Sequence, residues 1–127
     1  MDKTVLIIED NEQNLYLMRF LLEKNGFSVI DATEGPAGIR AACMLKPDLI
    51  LLDIQLPGMD GYAVASALRE HEALKDTPII AVTSYAMIGD RERALSSGAT
   101  DYIEKPINPF TFVEQISRHL ENTGGPE

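Results

Sequence analysis

Five short apolar runs rich in β-branched residues recur along the chain, separated by segments of helical period. They are TVLII (4–8), FSVIDA (27–32), DLILLD (48–53), PIIAVT (78–83) and DYIEK (101–105). The runs at 4–8, 48–53 and 78–83 have no polar alternation, so both of their faces must be buried, as in the interior of a parallel sheet. Strict alternation of strand and helix requires crossovers of one hand, with helices on both faces. The expected fold is α/β: a doubly wound, five-stranded parallel sheet with helices on both faces.

Stop and start signals support the helices. Leu15, Met18 and Leu22 share one face, and Asn25-Gly26 ends that helix. The segment Glu34 to Leu45 stops before Lys46-Pro47. Asp60 is placed to cap a helix with Val64 and Leu68 inward and Arg69 and Glu70 toward water. Arg91 to Ser97 closes at Gly98. Asn108-Pro109 reads as an N-cap with proline at the first helical position, followed by a buried stripe of Phe112, Ile116 and Leu120. One domain over 1–122 is expected, with ENTGGPE trailing into a frayed tail at 123–127.

Composition narrows the function. The formal net charge of −9 repels phosphate backbones, so direct nucleic-acid binding is not expected. No apolar run approaches the roughly 20 residues that cross a bilayer, and MDKTVLIIED is not a signal peptide. A cytoplasmic location and no membrane partner are expected. The single cysteine, Cys43, reads as a buried thiol, and His71 and His119 as surface or satisfied positions rather than ligands.

The strand ends carry the chemistry. In open α/β sheets, ligands lie beyond the carboxyl ends of the strands. Four of the five runs end in polar groups: Glu9-Asp10, Asp53, Thr83 and Lys105. Alone, Asp10 or Asn11 could be a helix cap, Asp53 turn chemistry, and Lys105 a surface residue. Together, three carboxylates from adjacent strands repel one another unless a cation joins them, and one lysine offsets one charge. Mg²⁺, which takes a few carboxylate oxygens and keeps waters, fits best. No Cys/His spacing suits zinc, and no GxxxxGK[ST] or GxGxxG offers a nucleotide cradle. Metal, free carboxylate, hydroxyl and ammonium make a phosphoryl-transfer set with Asp53 as nucleophile.

The segments IIEDN (7–11), LLDIQLPGMDG (51–61), AVTSYA (81–86) and GATDYIEKPI (98–107) resemble the receiver domains of two-component response regulators. The resemblance covers Lys3 to Leu120 and implies the flavodoxin-like strand order 2-1-3-4-5. Flanking residues look most like the single-domain, DivK-like regulators, and also like receiver domains carried by hybrid histidine kinases. The resemblance implies that Asp53 accepts a phosphoryl group from a phosphohistidine on a histidine kinase or phosphotransfer protein. It implies Mg²⁺ held by Asp10 and Asp53, by the Gln55 backbone carbonyl, and by Glu9 directly or through water. Lys105 pairs with phosphoryl oxygens and Pro106 corresponds to a cis-proline. Thr83 and Tyr102 form the switch. The chain then signals as a stand-alone regulator, or as a receiver excised from a hybrid kinase. It takes part in its own phosphorylation without being an enzyme in its own right. A downstream protein is expected on a face containing Ile88, Arg91, Tyr102, Ile107 and Phe112. Tyr85 is placed to limit water access to phosphorylated Asp53.

Two other classes fit less well. A haloacid-dehalogenase-type phosphatase places a second aspartate as general acid where Gln55 stands, and an amide cannot protonate a leaving group. A flavin-binding flavodoxin needs a hydroxyl- and glycine-rich phosphate loop where this chain has EDNEQN.

Overall fold

The computed structural model describes residues 3–84 and 89–122, with the side chains of 121 and 122 excepted. The positions of Tyr85, Ile88 and 123–127 lie outside the described residues. Strands β1 (Thr4–Ile8), β2 (Ser28–Ala32), β3 (Leu49–Asp53), β4 (Ile79–Thr83) and β5 (Asp101–Glu104) alternate with helices α1 (Glu12–Lys24), α2 (Gly35–Leu45), α3 (Gly61–Arg69), α4 (Asp90–Ser97) and α5 (Phe112–Asn122). The strands form one parallel sheet in the order β2-β1-β3-β4-β5, as expected.

Alternation along each strand divides the core between the two faces. Val5, Ile7, Leu49, Leu51, Ile80 and Val82 pack with Met18 and Leu22 of α1 and with Phe112, Ile116 and Leu120 of α5. Leu6, Ile8, Ile50, Leu52 and Ile79 pack with Ala42 of α2 and Val64, Ala65 and Leu68 of α3. On the latter face Ala81 meets Ala94 and Ala99, bringing α4 against the sheet. Each fully buried aliphatic side chain contributes roughly 1.5–3 kcal/mol, which is why these strands tolerate no polar position until their ends.

Local chemistry sets the boundaries. Asn11 Oδ1 accepts from the Asn14 N–H and Asp60 Oδ1 from the Tyr62 N–H, satisfying helix-start donors of α1 and α3. Gly61 is required by close approach. A Cβ there would fall 2.5 Å from the Ile54 Cα and 2.8 Å from the Asp53 carbonyl oxygen, both main-chain atoms. The start of α3 is therefore pressed directly onto the backbone of the β3 end.

Four expectations are corrected. Regular α5 begins at Phe112, not at Pro109. The Asn108 carbonyl accepts from Thr111 and Phe112, and its side chain from Phe110, forming a turn that precedes the helix. Cys43 is half-buried rather than sealed. Ile107 and Phe112 are 7% and 1% exposed, held in the α1–α5 side of the core, so neither lies on a surface. Arg69 does not face water. Its Nε donates to the Gly98 carbonyl at 2.8 Å, Nη1 to the carbonyls of Leu74 and Thr77 at 2.8 and 2.7 Å, and Nη2 to Thr100 Oγ1 at 3.1 Å. This planar fork ties α3, the connection into β4 and the turn after α4 together, which a lysine cannot reproduce.

Arg69→Ala should lower unfolding stability by roughly 2–4 kcal/mol, because several carbonyls lose their donor at once. Arg69→Lys should recover less than half of that loss. Urea unfolding of the three proteins checks it; a loss below about 0.5 kcal/mol for Arg69→Ala would show that water replaces the fork.

Candidate functional site

The parallel register brings the expected residues to one edge. Ile8 pairs with Leu52, so Glu9 and Asp10, just beyond β1, lie beside Asp53 at the end of β3. Asp53 is the register partner of Val82, which puts Thr83 at the end of the next strand. Thr83 pairs with Glu104, and the Lys105 N–H donates to the Thr83 carbonyl at 2.7 Å, carrying Lys105 to the same edge. The Lys105–Pro106 peptide bond is cis, as the resemblance implied. This edge is where strand order reverses between β1 and β3, the place open α/β sheets reserve for ligands.

One oxygen from each of Glu9, Asp10 and Asp53 lies within 4.8 Å of the others. Glu9 is fully buried and Asp53 is 3% exposed, whereas Asp10 reaches solvent. Lys105 Nζ stands 3.0 Å from Glu9 Oε1 and 3.5 Å from Asp53 Oδ2. Glu9 Oε2 accepts from the Asn11 N–H at 3.1 Å, and Asp53 Oδ1 from the Gln55 N–H at 3.0 Å. Glu9 Oε1 is different. The ammonium attracts it by charge, but among the described residues this sealed carboxylate oxygen has no well-formed hydrogen bond. An all-oxygen set with one unsatisfied buried oxygen and one solvent-facing acid suits a hard divalent ion that keeps some of its waters.

Thr83 is buried, and its Oγ1 accepts from Gln55 Nε2 at 2.6 Å. Gln55 Oε1 in turn accepts from the Ser84 N–H at 3.2 Å. These side-chain contacts had no signal in the sequence, where Gln55 stood out only through its backbone carbonyl. Tyr102, on β5, is half-buried against the cluster of Ile54, Ala81, Ala94 and Ala99. Burial, then the nearby Asp90 carboxylate, raise its phenol pKa above the ordinary value. Neither histidine joins the site: His71 is exposed, and His119 Nε2 lies 2.8 Å from Asp101 Oδ2.

Crowding also acts on Glu9. Burial first, then the Asp53 carboxylate, push its pKa up from 4.5 to about 7, against the opposing pull of Lys105 and the Asn11 amide. Between those two values the folded, metal-free protein holds a proton that the unfolded chain has lost. This contribution to stability is complete below the unfolded value and is lost as pH rises through the folded one. The Tm of the metal-free protein should therefore fall between about pH 5 and about pH 8, and Glu9→Gln should flatten the fall and raise Tm by several degrees at the alkaline end. Thermal scans in chelator across that range check it; an identical slope in the variant assigns the effect to other groups.

Comparisons with known proteins agree with this geometry. The family model for the response regulator receiver domain matches residues 5–117. A polar-differentiation response regulator DivK of Brucella ovis is 44% identical over 120 residues, covering 94% of this chain and 98% of the relative. Its Brucella anthropi counterpart is 43% identical over the same shares. Among solved structures, a putative response regulator from Chloroflexus aurantiacus superposes with a TM-score of 0.91 at 28% identity, covering 95% of this chain and 99% of that one. The receiver domain of a Pseudomonas aeruginosa sensor histidine kinase, with magnesium in its active-site cleft, gives 0.88 at 32% identity, with coverages of 95% and 99%. Matched by fold, by sequence over nearly its whole length and by the acids at its sheet edge, the chain belongs to the response regulator receiver domains of two-component signalling.

Proposed function

We propose that Asp53 accepts a phosphoryl group from a phosphohistidine on a histidine kinase or histidine phosphotransfer protein. The observation that carries this is a nearly buried carboxylate, at the end of a central strand, with two further acids within 4.8 Å and an ammonium at 3.5 Å. An Asp53 oxygen attacks phosphorus, the P–O bond forms as the P–N bond breaks, and the imidazole nitrogen leaves with its electron pair. Glu9, Asp10 and Asp53, with the Gln55 backbone carbonyl, would hold Mg²⁺, which supplies charge neutralisation between the carboxylates and the incoming phosphoryl group. Lys105 pairs with phosphoryl oxygens, while the Thr83 hydroxyl donates to another.

The receiver unit spans 1–122, acts in the cytoplasm and is a signalling module, not an enzyme with its own substrate. Among the described residues no helix is long and apolar enough to cross a membrane. Phosphorylation adds roughly two negative charges and strong acceptors, drawing Thr83 toward Asp53 and biasing Tyr102 between its half-buried and surface positions. A downstream protein reads that change over α4, β5 and α5, or the phosphoryl group is relayed onward. With Ile107 and Phe112 in the core, the reading surface rests on Arg91 and Tyr102, which line a groove of about 350 Å³ together with Glu104, Asn108 and Gln115.

Asp53→Asn should abolish stoichiometric labelling from a phosphohistidine donor, and the wild-type label should be released by hydroxylamine. Full labelling of that variant would remove Asp53 from the role. Asp10→Ala, or excess EDTA, should reduce labelling at least a hundredfold while the far-ultraviolet spectrum stays that of a folded chain. Retained labelling in EDTA counts against the metal. Thr83→Ala should still be labelled but should lose most of the difference in Tyr102 side-chain resonances between the two states, measured by NMR; an undiminished difference places the switch elsewhere.

A further inference from the structure

The Gln55 side chain takes no part in the transfer just described, yet it bridges the segments that follow β3 and β4. Its Oε1 accepts from the Ser84 N–H at 3.2 Å and its Nε2 donates to Thr83 Oγ1 at 2.6 Å. The orientation is not arbitrary. A main-chain N–H can only donate, so the carbonyl end of the amide must face Ser84 and the NH₂ end must face Thr83. The N–H of the same residue donates to Asp53 Oδ1 at 3.0 Å. One residue thus touches the acceptor carboxylate, the switch hydroxyl and the first amide beyond the switch.

These contacts oppose movement. Thr83 is 1% exposed, so its bond to the half-buried Gln55 amide is partly shielded from water, whereas the Ser84 contact is exposed. A shift of the hydroxyl by ~1 Å takes a bond of this length out of range, and the Ser84 contact, already long, goes with it. Thr83 accepts from Gln55, so its O–H remains able to donate; what a phosphoryl group on Asp53 must overcome is the position in which Gln55 holds the hydroxyl.

We propose that Gln55 is a positioning residue that acts as a latch, its side-chain amide holding Thr83 and Ser84 where they stand before phosphorylation and setting how strongly a phosphoryl group must pull to move them. This rests on Asp53 being the phosphoacceptor. Two ordinary hydrogen bonds, partly replaced by water when broken, bias the two positions by roughly 5–20-fold. Removing them should favour the phosphorylated arrangement by that factor.

The test uses beryllofluoride with Mg²⁺, a small mimic of the phosphoryl group on a carboxylate, titrated into the whole chain and followed through the Thr83 and Ser84 amide resonances. Gln55→Ala should raise the apparent affinity for the mimic about fivefold or more. Gln55→Met, which keeps length and bulk without polar atoms, should do the same and guards against a packing defect. In a Thr83→Ala background either substitution should change the affinity less than twofold, because a latch acts through the hydroxyl it holds. An affinity that does not rise in both variants, or that rises equally without the Thr83 hydroxyl, overturns the latch while leaving the acceptor in place. Failure of the wild-type chain itself to bind the mimic overturns the acceptor reading and this inference with it.

Discussion

Everything at this sheet edge follows from sealing two carboxylates and one ammonium in a space that water barely enters. Glu9 and Asp53 are buried and the Lys105 side chain is 9% exposed. Taking such charges out of water costs several kcal/mol each, and one ammonium shared between two acids cannot return all of it. The shortfall is visible as a raised Glu9 pKa and as the oxygen of that residue that lacks a well-formed hydrogen bond. Acids crowded in this way favour a divalent cation between them. The site exists because β1, β3 and the residue after β5 reach the same edge, in a register supported by the apolar bodies of β1 and β3.

Much of this was legible in the amino-acid order. Leu49 to Leu52 are apolar in succession because both faces of β3 are covered, and the acid that ends the run is conspicuous for that reason. Glu9, Asp10, Thr83 and Lys105 could be grouped because parallel strands must end together. The α1 and α3 caps at Asn11 and Asp60 follow from short polar side chains placed before apolar periodicity. What escaped was contact between residues whose local pattern is ordinary. Arg69 follows a helical stripe and reads as solvent-facing, but its carbonyl partners lie far along the chain and no periodicity announces them. Ile107 and Phe112 were doubly readable, as surface beside a strand or as the inward start of α5, and only the docking of α5 on β1 and β3 decides between them. The Gln55 side chain lay hidden for a third reason: a polar residue in a turn predicts nothing about which neighbour it clasps.

The close seating of α3 has a mechanical meaning. With no room for even a methyl group between Gly61 and the backbone of Asp53 and Ile54, the end of β3 is backed directly by the start of α3. On the neighbouring side the Gln55 side chain bridges to Thr83 and Ser84, and Tyr102 is half covered. Were Asp53 to carry the proposed phosphoryl group, α3 would stand behind it as an anvil, and displacement would be easier toward β4 and β5 than toward α3.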